Sequence, residues 1–231
     1  MSTVVLDNPA WEALISVHKG FAHGTENAKR YRHGILPFAG YSKADRGSME
    51  DLNGFTNRGE IFYIIGDYLP LLPADWVIEY ELPCAQMLLN TPASIQLHTQ
   101  DVSVSIEQLG EDDAAEMFNL ISTVQPGYYN TDTRLLGTYY GIKEGNKLVA
   151  MAGERMRLTG FSELSAICTL AEYTGRGYAQ KLITKLCNLH AKTGIISFLH
   201  VALSNHRAIR LYEHMGFTQR RTIIFRRIRK Q

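Results

Sequence analysis

Three runs of sequence decide the reading: Ser162–Leu170 is SELSAICTL, Ala171–Ala179 is AEYTGRGYA, and Asn205–Phe217 is NHRAIRLYEHMGF. The first is an apolar run bounded by polar residues, the pattern of a strand. From Gly177 to about Ala191, residues Ala179, Leu182, Ile183, Leu186 and Leu189 recur at helical spacing, so the glycine-bearing turn feeds a helix. Ile195 to Leu203 forms a second strand. Ala208, Leu211, Tyr212 and Met215 then lie along neighbouring faces of a second helix, which Gly216 ends as its C′ residue. The unit is βαβα, and its chemistry is in the turn. N–H groups at a helix start have no intrahelical partner, and the helix dipole adds partial positive charge there. Gly175 and Gly177 let the backbone bend tightly and let an anion approach, so phosphate or pyrophosphate is the natural ligand. The alternative is that the glycines serve chain geometry alone. The turn is neither G-x-G-x-x-G nor G-x-x-x-x-G-K-[ST], so dinucleotide and P-loop readings lack their motif.

Outward from this unit, the order from Val102 to Ile228 reads β-α-β-β-β-α-β-α-β, a mixed sheet with helices on both faces. Val102, Val104 and Ile106 alternate as a strand, and Glu111-Asp112-Asp113 caps a helix containing Ala114, Met117, Phe118, Leu120 and Ile121. Leu136–Ile142 and Leu148–Met156 read as a hairpin across Lys143-Glu144-Gly145-Asn146. Arg220–Ile228 reads as one or two closing strands. A boundary falls in Thr91–Asp101, giving a smaller α/β domain over 1–98 and a second domain over 99–231. In the first domain, Ser2–Leu6 reads as a β-rich start. Asn8-Pro9 opens a helix whose face carries Trp11, Leu14, Ile15 and His18. Arg46–Asn57 reads as loop, Glu60–Gly66 and Trp76–Leu82 as strands, and Pro83–Leu89 as a short helix. No chemical motif is legible in 1–95.

Composition narrows the classes. The 231 residues are 45% hydrophobic and 20% charged, with a formal net charge of +1, which gives no general pull toward nucleic acid or anionic membrane. Cys84, Cys168 and Cys187 are odd in number and lack C-x-x-C spacing, against a zinc site or disulfide frame. No stretch approaches 18 apolar residues. The expectation is a cytoplasmic protein, monomer or homodimer, with no metal, no nucleic acid and no membrane partner. The basic run Arg220, Arg221, Arg226, Arg227, Arg229 and Lys230 reads as a solvated rim or an attraction for phosphates, with nucleic-acid binding as the rival.

At this point the chain resembles the GNAT superfamily of CoA-dependent N-acyltransferases. Thr174-Gly175-Arg176-Gly177-Tyr178-Ala179 falls on [QR]-x-x-G-x-[GA], and Asn205 to Phe217 on N-x-x-A-x-x-L-Y-x-x-x-G-F. The resemblance covers about Val102 to Ile228. It implies a mostly antiparallel twisted sheet, acetyl-CoA as donor, and a primary amine of a small molecule or peptide as acceptor. It implies that Ile167, Cys168 and Thr169 pair with pantetheine, that the turn from Gly175 through Arg176, Gly177, Tyr178 and Ala179 to Gln180 cradles pyrophosphate, and that Asn205 contacts the cofactor. Thr174 departs from the usual Gln or Arg, which puts a side-chain contact there in doubt. Tyr212 falls where the family often protonates the departing thiolate. A phenol of reference pKa about 10 suits a thiol of about 8.5. The alternative for Tyr212 is a core tyrosine.

Glu163 matches a base position of histone-type members, and on a regular strand it shares a face with Ser165, Ile167 and Thr169. Its alternative is an exposed strand-start carboxylate, and Glu154 is the rival base. His200 reads as a hydrogen-bonded strand residue, with proton transfer as the other possibility. Cys168 reads as a packer rather than an acyl carrier. Residues 1–98 are open between a degenerate GNAT-like half, as in tandem members resembling glycine N-acyltransferases, and a lid on the acceptor site. The rival to an enzyme is a non-catalytic acyl-CoA-binding or regulatory module.

Overall fold

The computed structural model describes residues 2–43, 45–89 and 104–231. The boundary at 98/99 and the strand start at Val102 lie outside them. Along the chain run α1 (Pro9–Ile15), β1 (Ala22–Gly24), β2 (Ala28–Tyr31), β3 (Phe38–Tyr41), α2 (Arg46–Gly54), β4 (Ile61–Ile65) and β5 (Trp76–Leu88). Then follow β6 (Glu107–Leu109), α3 (Ala114–Val124), β7 (Tyr139–Glu144), β8 (Lys147–Leu158), β9 (Phe161–Thr169), α4 (Tyr178–Lys192), β10 (Ile196–Ala202), α5 (His206–His214) and β11 (Thr218–Lys230). All the described strands join one 11-stranded sheet in the order β1-β2-β3-β4-β11-β5-β10-β9-β8-β7-β6. Among the described residues only β3–β4 and β9–β10 pair in parallel. The fold is thus the expected mixed, mostly antiparallel sheet flanked by helices. From β6 onward the element order is the expected β-α-β-β-β-α-β-α-β.

Alternation along β8 assigns the two faces of its half of the sheet. Met151 packs with Met117, Leu120 and Ile121 of α3, while Ala150 and Ala152 pack with Leu182, Ile183 and Leu186 of α4. Tyr212, Met215 and Phe217 extend the α4 cluster through α5. Another core joins the two ends of the sequence: Ala10, Leu14 and Phe38 pack with Met156, Phe161, Phe198 and Phe225. No described helix is long and apolar enough to cross a membrane.

Several local expectations are corrected. Ser2–Leu6 is not extended: Thr3–Asp7 is a 3₁₀ turn that puts the Leu6 side chain in the core, and its carbonyl accepts from Gln86 Nε2 at 2.8 Å. Pro9 is the first residue of α1, but Asn8 sends its amide to Tyr41 O instead of capping the helix. Trp11, Leu14 and His18 are buried, whereas Ile15 is exposed. Arg46–Gly54 is a helix, capped by the Asp45 carboxylate accepting from Ser48 N at 2.9 Å, and it buries Met49 and Leu52. One buried pair is too little periodicity to read from sequence. The largest correction is Pro83–Leu89, which is no helix: Pro83–Leu88 is the inner half of β5, between β10 and β11. Pro83 is tolerated there because β10 pairs only from Cys84 onward. Its carbonyl takes Leu203 N at 3.0 Å, and the missing N–H faces the same way, past the end of β10. The alternating stretch ahead of α3 pairs only over Glu107–Leu109, Leu136 belongs to a 3₁₀ turn, and the basic tail is one strand, β11.

Candidate active site

Gly175 and Gly177 have φ of +81° and +74°, in the left-handed region where a side chain is strained. Gly177 is the N-cap of α4, and the first helical bond is Lys181 N to Gly177 O at 3.1 Å. The amides of Tyr178, Ala179 and Gln180 are therefore left without helical acceptors, and no acidic residue occupies the first turn. They open onto a cavity of about 340 Å³. Of the residues expected to hold the donor, Ile167, Thr169, Gly175, Gly177, Tyr178, Ala179, Gln180 and Asn205 line it; Cys168 and Arg176 do not. Cys168 is buried, and burial pushes its thiol up to about 12. Arg176 instead stacks over Tyr173 at 4.8 Å and stands 3.8 Å from Glu144. Thr174 donates its hydroxyl to Ala171 O at 2.9 Å, so its side chain shapes the turn.

The cavity continues between two strands that part. β9 and β10 pair only over Phe161–Glu163 and Ile196–Phe198. Beyond that point their facing edges diverge around a cleft of about 190 Å³, which shares Ile167, Asn205, Ala208 and Tyr212 with the donor cavity. At the divergence β9 carries a bulge at Ala166, whose φ is +51°. The bulge flips the alternation: Leu164 and Ile167 face the α4 cluster, and Ala166 and Cys168 face α3. The regular face expected to join Glu163 with Ile167 and Thr169 is therefore broken. Asn205 caps α5, accepting from Ala208 N at 3.1 Å. Tyr212 stands where cavity and cleft meet. Burial raises its phenol to about 12, and its hydroxyl has no hydrogen-bond partner among the described residues.

Beneath the cleft lies a buried polar chain. Glu163 is fully buried and takes Arg155 Nε at 2.9 Å and Nη2 at 2.5 Å, with His200 Nδ1 at 2.7 Å. His200 Nε2 is 3.0 Å from Gln86 Nε2, and Gln86 Oε1 accepts from Arg220 at 2.8 Å. That last bond makes the Gln86 nitrogen the donor, so His200 donates from Nδ1 to Glu163 and accepts at Nε2. Burial works to raise the Glu163 pKa, but the Arg155 charge and the hydrogen bonds from Arg155 and His200 overcome it and hold the carboxyl at about 2. Glu163 lines neither cavity nor cleft. It is neither the exposed carboxylate nor the cleft-facing base expected of it, but the counter-ion of Arg155. Glu154 is equally occupied, by His190 at 2.9 Å, Ser162 at 2.6 Å and Thr138 N at 2.7 Å. Those bonds outweigh burial and hold it at about 2. Arg155 and Tyr128, which line the cleft, and Tyr129, which lines a smaller cavity beside it, were not legible as site residues in the sequence. The one available signal was Glu154-Arg155, two charges inside the apolar run of β8.

Comparison with known proteins fits this geometry. A solved structure from Novosphingobium aromaticivorans, described as an acetyltransferase of the GNAT family, is 31% identical over 98% of both chains with a TM-score of 0.88. The chain belongs to the GNAT family. A family model for FR47-like proteins matches residues 139–225, from the start of β7 into β11. A GCN5-related N-acetyltransferase from Kribbella flavida (12% identity, 95% of both chains, TM-score 0.62) shares the fold. So does a GCN5-related N-acetyltransferase-like protein from Streptococcus suis (11% identity, 99% of this chain and 96% of that one, TM-score 0.61). No curated protein matches the chain in sequence. As a GNAT protein the chain is an acyltransferase.

Proposed function

We propose that this acyltransferase moves an acetyl group from acetyl-CoA to a primary amine by direct attack. The observation that carries the reading is the continuity of the site: unpaired amides at the start of α4 open into a cavity that runs past Tyr212 into the split between β9 and β10. Pyrophosphate suits those amides, and an extended pantetheine suits the β9 edge beyond Glu163. The unprotonated amine nitrogen adds to the thioester carbonyl carbon, the C–S bond breaks, the thiolate takes the proton of Tyr212 Oη, and the proton that the nitrogen gives up returns to the phenolate. A phenol near 12 is protonated at neutral pH, so the proton is present to be given. Cys168, buried and protonated, does not carry the acyl group.

Isothermal calorimetry with acetyl-CoA and a thiol-release assay over a broad amine panel test this. Saturable binding and CoA release are expected, and Tyr212→Phe should lower kcat at least tenfold with cofactor affinity unchanged. Unchanged turnover in that variant removes Tyr212 from the chemistry. Binding without CoA release from any amine makes the chain a non-catalytic binding module.

A further inference from the structure

The acceptor side of the cleft has a chemical sign. Past Tyr212 the cleft runs into a smaller cavity through shared Gln125, Tyr128, Arg155, Ser165 and Ala166, and among the described residues no aspartate or glutamate lines either one. Arg155 spends one edge of its guanidinium, Nε and Nη2, on Glu163. Its Nη1 group has no hydrogen-bond partner among the described residues, although Phe38 and Phe225 hold the guanidinium with ring centroids 4.9 and 5.9 Å from Cζ. Tyr129 lines the smaller cavity, and its hydroxyl is buried with no partner among the described residues either. The Ser165 hydroxyl has none among the described residues. These groups are donors in want of an acceptor, and a buried orphan of this kind asks for a ligand atom. Glu163 balances the charge of Arg155, but a guanidinium has five N–H donors and can fork a second carboxylate.

We infer that the acceptor is a small free amino acid, its carboxylate held by Arg155 Nη1 with the Tyr129 and Ser165 hydroxyls, and its amine directed back toward the Tyr212 junction. A cleft of about 190 Å³ lies below the 300–1,000 Å³ usual for drug-sized ligands, which favours a small acceptor. A polyamine or other polycation would meet a guanidinium and no carboxylate, so that class is disfavoured. The inference rests on the acyl-transfer reading above and specifies its substrate.

The test is steady-state CoA release by the full chain with matched acceptors: glycine, glycinamide and methylamine, then alanine, alaninamide and ethylamine, with spermidine as the polycation. An amino acid should be turned over, and its amide and decarboxylated partner should be at least tenfold poorer in kcat/KM, chiefly through KM. Tyr129→Phe removes only an unpartnered hydroxyl and should keep the fold. It should raise KM for the amino acid about threefold or more and move the plain amine, which has no carbonyl or carboxylate oxygen to hold, by less. Arg155→Lys should do the same more severely. The inference is overturned if the amide, the plain amine or spermidine is acetylated as well as the amino acid. It is equally overturned if acetyl-CoA binds and no amino acid is turned over. Acyl transfer to carboxylate-free amines would leave the wider reading standing, whereas failure to bind acetyl-CoA would remove that reading itself.

Discussion

The Glu163 carboxylate and the Arg155 guanidinium are both withdrawn from water, so each depends on the other. Removing one partner of such a pair leaves an uncompensated buried charge, at a cost of about 3–5 kcal/mol. Glu163→Gln should therefore lower the unfolding free energy by about 3 kcal/mol or more in urea titration. The folded fraction should keep the wild-type pH dependence of kcat/KM, rising with deprotonation of the acceptor amine. A profile that loses an acidic limb in the variant would return Glu163 to the role of base. His18 offers a second test at this scale. Its Nε2–H donates to Leu136 O at 3.0 Å, and its Nδ1 accepts from the Tyr31 hydroxyl at 2.9 Å. Burial, the largest influence, lowers its pKa to about 4 from the ordinary histidine value of 6.5. The unfolded chain thus binds this proton more readily between those values. Stability is fully present above about pH 6.5, falls as pH drops toward 4, and loses about 3 kcal/mol from this group. Denaturant unfolding from pH 7 to 4 should show that fall, and His18→Gln should flatten it. The Glu154 and Glu163 contributions, with folded values near 2, are lost in a more acid window, beginning below about 4.5.

Among the elements, the start of α4 is the one on which donor binding depends. A Cβ at Gly177 would meet no protein atom nearer than Gln180 Oε1 at 3.6 Å, yet it would project from a left-handed residue at the mouth of the cradle. Gly177→Ala should cost about 1–2 kcal/mol of stability through backbone strain and weaken acetyl-CoA binding at least tenfold by calorimetry. Strain with full affinity would show that the cradle lies elsewhere. Elements of this kind were legible because periodicity and punctuation agree: α4 and α5 have helical spacing between glycines, and β9 and β10 are apolar runs between them. Other elements were hidden for physical reasons. The Ala166 bulge inserts one residue without any glycine to mark it, so the face assignment of Glu163 inverted relative to Thr169. β5 carries Pro83 and an inner half, Cys84–Leu88, that is apolar but for Gln86, which short-range pattern cannot tell from a helix. Arg155 looked like an ordinary strand charge because what makes it special, Glu163 on one side and open space on the other, comes from pairing between strands.

For the whole molecule, β5 is decisive. Although it precedes residue 90, it lies between β10 and β11, pairing with β11 from Trp76 to Leu88 and with β10 from Cys84 to Leu88. The basic run of β11 turns out to be neutralised by acids of the same N-terminal half. Arg221 meets Asp7 and Asp67, Arg226 meets Glu81, Arg227 and Arg229 share Glu79, and Arg220 meets Asp7. Exposed pairs are worth little singly, but here they line a strand seam whose inner residues Ala85, Met87 and Leu88 are buried under α5 and in the shared core. A fragment of residues 104–231 would retain both family motifs and lose that seam. It would bare the facing edges of β10 and β11, leave His200 and Arg220 without Gln86, and leave six cationic side chains on one strand without partners. The fragment should aggregate or unfold without a cooperative transition, and it should not bind acetyl-CoA. The full chain should melt in one step, with near- and far-ultraviolet circular dichroism coincident. If the fragment melts sharply and binds the donor, the N-terminal half is an accessory domain. If it does not, β5 is as much a part of the acyltransferase as the glycine turn, because without it the two strands that hold the base of the cleft have nothing between them.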